Sequence, residues 1–181
     1  MRAWQPATGF DRIVTTMRNL AVFVILLLGS GIACAQSNGS SKAAENLKQN
    51  FDYINEKVLT MAEDFPESKY DYRMKPEMRS FGEVIVHIAS GNVYAAKAGR
   101  GEKVKWDELN PKDYKTKAEC VALMEKWITE ANSSLKANPL GWNGSLDPFL
   151  SVLQHSSEHY GLLVAYYRAN GLVPPESRPK K

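Results

Sequence analysis

Apolar residues recur at intervals of three and four through four separate stretches of this chain, and no run alternates with period two over the length of a strand. A helix buries one stripe of side chains with a period of 3.6, whereas a half-buried strand buries every second residue. Four amphipathic helices without strands can bury their stripes only against one another. The pattern therefore predicts an all-α four-helix bundle.

The first helix is read from about Lys42 to Asp64, on Leu47, Phe51, Ile54, Val58 and Met61, with Pro66 helping to end it. The second runs from about Ser80 to Lys97. Ser80 and Glu83 have the spacing of a capping box, and the inward stripe is Val84, His87, Ile88, Gly91 and Tyr94 or Ala95. The third spans about Lys117 to Ala137 behind Thr116 and Glu119, a second capping box. The fourth spans about Asp147 to Asn170, with Phe149, Val152, His155, His159, Leu162, Leu163 and Tyr166 on one face. Gly171 suits the position after the helix end, and Pro174-Pro175 forbids continuation. The connections from Glu67 to Arg79 and from Arg100 to Lys115 are long, polar and carry aromatic residues. Connections of that length are often functional or pack across an open end.

The first 35 residues stand apart. Leu20 to Leu28 is continuously apolar, Arg12 and Arg18 precede it, and Ala33-Cys34-Ala35 follows. That is the layout of a secretory signal peptide cut before Gln36, with Met1 or Met17 as the start. The apolar run is short of the ~20 residues a helix needs to cross a bilayer, so no stable membrane span is expected after cleavage. A lipoprotein would use Cys34, but Gly31 stands where an apolar residue is expected three positions earlier. The chain then divides into the leader 1–35, a flexible lead-in 36–41 (SNGSS and its neighbour), a bundle 42–175 and an extended basic tail 176–181. Export implies a periplasmic or extracellular setting.

Cleavage removes three of the 23 basic and one of the 20 acidic residues, leaving a nearly neutral domain. Such a body argues against a nucleic-acid footprint. Of the two cysteines only Cys120 remains, so an intrachain disulfide is excluded and packing must hold the fold. Cys120 falls in a helical pattern, where a buried structural thiol is expected.

The chain contains three histidines, and all of them fall on the apolar stripes: His87 in the second helix, His155 and His159 in the fourth. Residues four apart on a helix project the same way, about 6 Å apart along the axis. Two such imidazoles reach one metal ion, and a third from a facing helix completes a three-nitrogen site. Three protein ligands leave a position open, as catalytic zinc sites do. Imidazole ligation also suits nickel, iron and copper, so the ligand type does not choose the metal. The bland reading is three satisfied core histidines. Glu83, one turn before His87, either orients that ring or merely completes the capping box. Tyr94, Tyr160 and Tyr166 either line a pocket or belong to the core.

The segments SFGEVIVHIASGNVYAA and HSSEHYGLLVAYYRANGLVPP, with a His in the second helix and H-x-x-x-H before Tyr160-Gly161 in the last, resemble the DinB-like superfamily of metal-binding four-helix bundles. The resemblance covers nearly the whole mature chain. It implies an up-down-down-up bundle, a divalent metal (zinc, nickel or iron) held by His87, His155 and His159, and often a homodimer. Characterised relatives include thiol-dependent transferases and isomerases. The exported setting departs from them, because their thiols are cytosolic. The expectation is an exported metal-dependent enzyme of hydrolase or thiol-transferase type acting on a small molecule that the sequence does not name. The alternative is a non-catalytic metal- or ligand-binding bundle.

Overall fold

The computed structural model describes residues 42–141 and 145–179. The leader 1–35, the lead-in 36–41, residues 142–144 and the last two lysines lie outside them. Among the described residues four long helices form and no strand does: α1 over 42–64, α2 over Phe81–Gly99, α3 over Lys117–Ala137 and α4 over Asp147–Ala169.

Local chemistry sets the ends. Ser80 Oγ accepts the Glu83 N–H at 3.3 Å while the Glu83 carboxylate accepts the Ser80 N–H at 2.8 Å. Thr116 and Glu119 do the same for α3. Each box satisfies two amide donors that a helix start leaves without partners. Behind α4, Gly171 takes φ +70°, and the N–H groups of Gly171 and Leu172 return to the carbonyls of Arg168 and Tyr167. That 5→2 and 6→1 pairing is a Schellman end, and its positive φ is why a glycine stands there.

Contacts between helices give their directions. Phe51 meets Phe149 at 5.7 Å between ring centroids, and Phe65 meets Tyr167 at 5.0 Å, so α1 and α4 run the same way. Phe81 at the start of α2 stacks on Phe65, while Gly99 at its end abuts Phe149, so α2 runs against both. Cys120 lies by Gly82, and Asn138 donates to the Gly99 carbonyl at 3.1 Å, so α3 runs with α2. The bundle is up-down-down-up.

Two apolar clusters fill it. One gathers Phe65, Tyr70, Phe81, Tyr166 and Tyr167 with Met61, Ile85 and Met124; the other gathers Phe51, Ala95, Ala131, Leu135, Phe149 and Val152. A buried Phe, Leu or Ile contributes roughly 1.5–3 kcal/mol through area removed from water. At the lower cluster a Cβ on Gly99 would lie 2.6 Å from both Phe149 Cζ and Ser134 Oγ, so three helices meet on a residue without a side chain. Between the clusters Asn92 donates to Asn55 at 3.0 Å, both fully buried.

Parallel α2 and α3 require the chain to travel back along the bundle between them. Residues 100–116 make that return. Trp106 packs on Gly91, the Leu109 N–H donates to Ser90 Oγ at 3.0 Å, and the Tyr114 carbonyl lies beside Cys120. The connection is thus laid lengthwise on α2.

Cys120 is the buried thiol expected of it, 1 % exposed, and burial pushes it up to about 11 from 9.0. That cuts the thiolate fraction at pH 8 by about 100-fold. Maleimide labelling of Cys120 should therefore be at least that much slower in the folded chain than in denaturant, read by mass spectrometry of the peptide. Equal rates would contradict the burial.

The tail, read from sequence as extended over 176–181, takes a short turn at its start. Pro175–Ser177 form a 3-10 turn, and Arg178 grips both Asp64 carboxylate oxygens at 2.6 and 2.7 Å. A proline at the first position of a turn presets its φ, which a reading of Pro-Pro as extended chain overlooks. Hydrogen bonding from Arg178, then from Tyr167, holds Asp64 below the ordinary carboxylate value of 3.8 against the opposing effect of burial. A carboxyl lowered in the folded state stabilises above its unfolded value and loses that contribution as pH falls through the folded one. With both partners partly exposed, Arg178→Ala should cost only the small amount an exposed ion pair supplies at pH 7. Urea melts should show that gap closing below pH 3.8; a gap unchanged at about pH 2 would remove the ion pair as its cause.

Candidate metal centre

α2 and α4 pass each other antiparallel, which brings His87 in the middle of one opposite His155 and His159 in the middle of the other. The His87 Nε2 lies 3.0 Å from the His155 Nε2 and 3.1 Å from the His159 Nε2. The three donor atoms all fall within 4.8 Å of one another. The rings meet at 64–89° with centroids 4.5–4.7 Å apart, so nitrogens rather than ring faces converge.

The apolar stripes read from sequence put these residues in the core, and the structure places them at its edge. All three are half-buried, while the neighbouring Ser156, Val86 and Ile88 take the fully buried positions. A site that must admit a ligand needs that edge position, and the histidine periodicity alone does not separate it from full burial.

Burial, first of all, holds each imidazole below its ordinary value of 6.5. His155 is pushed down to about 3, with His159, His87 and Arg79 adding repulsion. For His87 and His159 the direction is the same, and the Glu108 carboxylate opposes it. The neutral imidazole so favoured is the form that binds metals.

The donor set fits a divalent ion. A neutral imidazole nitrogen either donates or accepts, so His87 Nε2 facing two other Nε2 atoms is a poor hydrogen-bonding arrangement. Nitrogens sharing a tetrahedral ion at ~2.0–2.1 Å stand a little over 3 Å apart, close to the spacing here.

Three residues absent from the sequence reading surround the triad. Glu108, from the return connection, places Oε1 3.1 Å from His87 Nδ1. Arg79 holds both oxygens of Glu108 at 2.9 and 3.0 Å. Trp106 lies 4.7 Å from the His155 ring and 5.3 Å from Tyr94. A Cβ at Gly91 would stand 3.0 Å from Trp106 and 3.3 Å from His155 Nδ1, so the glycine opens the space that the indole fills. The signal was present: a glycine inside a helical stripe marks a close approach, and the connection is long and aromatic.

Of the other sequence candidates, Glu83 does not reach His87. Its carboxylate is taken by Ser80 and Arg73, and it completes the capping box. Tyr94 flanks Trp106, and Lys57 Nζ sits 4.2 Å over the Tyr160 ring. Among the described residues neither hydroxyl hydrogen-bonds a histidine. Tyr166 is core, its hydroxyl donating to the Arg79 carbonyl. A cavity of about 540 Å³ beside Gly82, Tyr114 and Cys120 does not include the triad. The convergent donors, not that volume, mark the chemistry.

The sequence model describing the DinB superfamily matches residues 50–163, a span that includes all three histidines. No curated protein matches the chain.

Proposed function

The chain belongs to the DinB superfamily, and from that premise we propose that it holds one divalent metal ion through His87, His155 and His159 and works as a metal-dependent enzyme of hydrolase or thiol-transferase type. The observation that carries the reading is the convergence of three Nε2 atoms from two facing helices. Zinc, nickel and iron all suit three imidazoles. When bound, the ion would supply Lewis acidity for activating a water or thiol toward an electrophilic substrate. The chain's own residues do the rest. Three ligands rather than four leave room for substrate, and Trp106 packs beside Gly91 against the His155 ring.

The leader sequence supports export to the periplasm or beyond, which separates the site from cytosolic thiols and favours hydrolysis. Homodimerisation is proposed from the family resemblance. A non-catalytic metal- or ligand-binding bundle is the second reading. It draws on Glu108, the carboxylate touching the triad, which is already engaged by Arg79 and His87 and so is poorly placed as a base.

Elemental analysis of chain purified without chelator or affinity histidines tests the metal. About one ion per chain is expected of a single three-histidine site with one position open, and none after incubation with zinc, nickel and iron would end the reading. Ester and thiol-transfer assays on the metal-loaded chain then test the enzyme. Any activity found should vanish in His159→Ala, and activity that survives it does not belong to this site.

A further inference from the structure

We propose that Glu108 is the positioning residue of the triad: it fixes the tautomer and ring plane of His87 so that the Nε2 lone pair faces His155 and His159, with Arg79 holding Glu108 in place. The inference rests on the metal reading and adds to it a role for the return connection.

The geometry has two anchors. An ionised carboxylate only accepts hydrogen bonds, so the 3.1 Å contact of Glu108 Oε1 with His87 Nδ1 is satisfied when Nδ1 carries the proton. Nε2 is then the unprotonated nitrogen, as ligation requires. Arg79 contacts both Glu108 oxygens through one guanidinium nitrogen, which holds the carboxylate in place. Arg79 is itself rooted, because its carbonyl accepts the hydroxyl of the buried Tyr166. The second anchor is in the backbone. Leu109 N–H donates to Ser90 Oγ, and that fully buried hydroxyl donates to the Val86 carbonyl at 2.9 Å. The residue after Glu108 is thus tied to the turn of α2 that bears His87.

The three rings are held differently. His155 Nδ1 is buried with no hydrogen-bond partner among the described residues, and Trp106 and Gly91 confine its ring by packing. His87 has a charged acceptor on its outer nitrogen. Loss of Glu108 should therefore free one ligand in particular, not loosen the site as a whole.

The test uses the full chain as wild type, Glu108→Gln and Glu108→Ala. Zinc is titrated against a competing fluorescent chelator. Separately, the metal-free proteins are labelled with ¹⁵N-histidine and their ring tautomers read by NMR. Zinc affinity is expected to fall by roughly 10–100-fold in Glu108→Ala, the usual range for removing such an outer partner, and by less in Glu108→Gln, whose amide oxygen still accepts. The His87 ring should lose its Nδ1-protonated signature in Glu108→Ala while His155 and His159 keep theirs. Affinity within threefold of wild type together with an unchanged His87 tautomer overturns the proposal. A shift of all three rings together would mean general loosening, and also overturns it. A wild-type chain that takes neither zinc nor, in the same titration, nickel or iron ends the metal reading, while the tautomers of the metal-free chain still decide whether Glu108 orients His87.

Discussion

A chain carrying His155→Ala together with His159→Ala should lose its metal and, with it, the stabilisation that metal provides. A ligand that binds only the folded state at 100 times its dissociation constant adds about 2.7 kcal/mol. For a domain of this size that is about 10 °C in melting temperature. The wild-type chain should show a rise of that order with zinc, and the double variant none, because a lone imidazole on α2 cannot replace three nitrogens converging within 4.8 Å. Without metal the two proteins should melt within a few degrees of each other, since the substituted side chains are half-buried. Scanning calorimetry with and without zinc decides it. A wild-type chain that does not respond to zinc, nor to nickel or iron in repeat scans, has no site, and a variant that responds equally binds its zinc elsewhere.

Phe81→Ala should be the most damaging single truncation in the upper cluster. Phe81 is fully buried at the first position of α2 and stacks on Phe65 at 3.7 Å between centroids. Tyr70, Tyr166 and Tyr167 present their rings to it at 5.2, 6.0 and 6.3 Å. Removing a buried phenyl group costs about 3–5 kcal/mol in transfer and cavity terms, and aromatic pairs add about 0.5–1.5 kcal/mol beyond their area. Against a usual stability of 5–15 kcal/mol the variant would be marginal. Guanidinium melts beside a milder Phe81→Leu control measure the loss; a cost below about 1.5 kcal/mol would show that the cluster can collapse around the gap. The folded fraction of Phe81→Ala should still bind zinc, because the triad lies further along α2.

What could be read from the sequence was what local rules govern. The pairs Ser80/Glu83 and Thr116/Glu119 and the glycine after α4 set helix ends through bonds spanning a few residues, and they were placed correctly. The triad was legible because its pattern is also local, two histidines one turn apart plus a single other histidine. How deep the rings sit was not legible, because the stripe does not show that Ser156 rather than His155 occupies the fully buried position. Glu83 satisfied two local descriptions, and only Arg73, from a loop, shows where its carboxylate goes. Glu108, Trp106 and Arg79 reach the site through the path of long connections, which no periodicity encodes. The Arg178–Asp64 pair spans 114 residues and was invisible for the same reason.

The return connection between two parallel helices has an evolutionary consequence. The three imidazoles stand on regular helices whose spacing the core dictates, so they resist drift. Glu108 and Trp106 beside them stand on residues 100–116, where only a short 3-10 turn over Pro111–Asp113 interrupts irregular chain. Insertions and substitutions are tolerated far better in such a segment than in a packed helix. One scaffold can thus keep three histidines in a fixed arrangement while the chain beside them changes, without relearning how to fold.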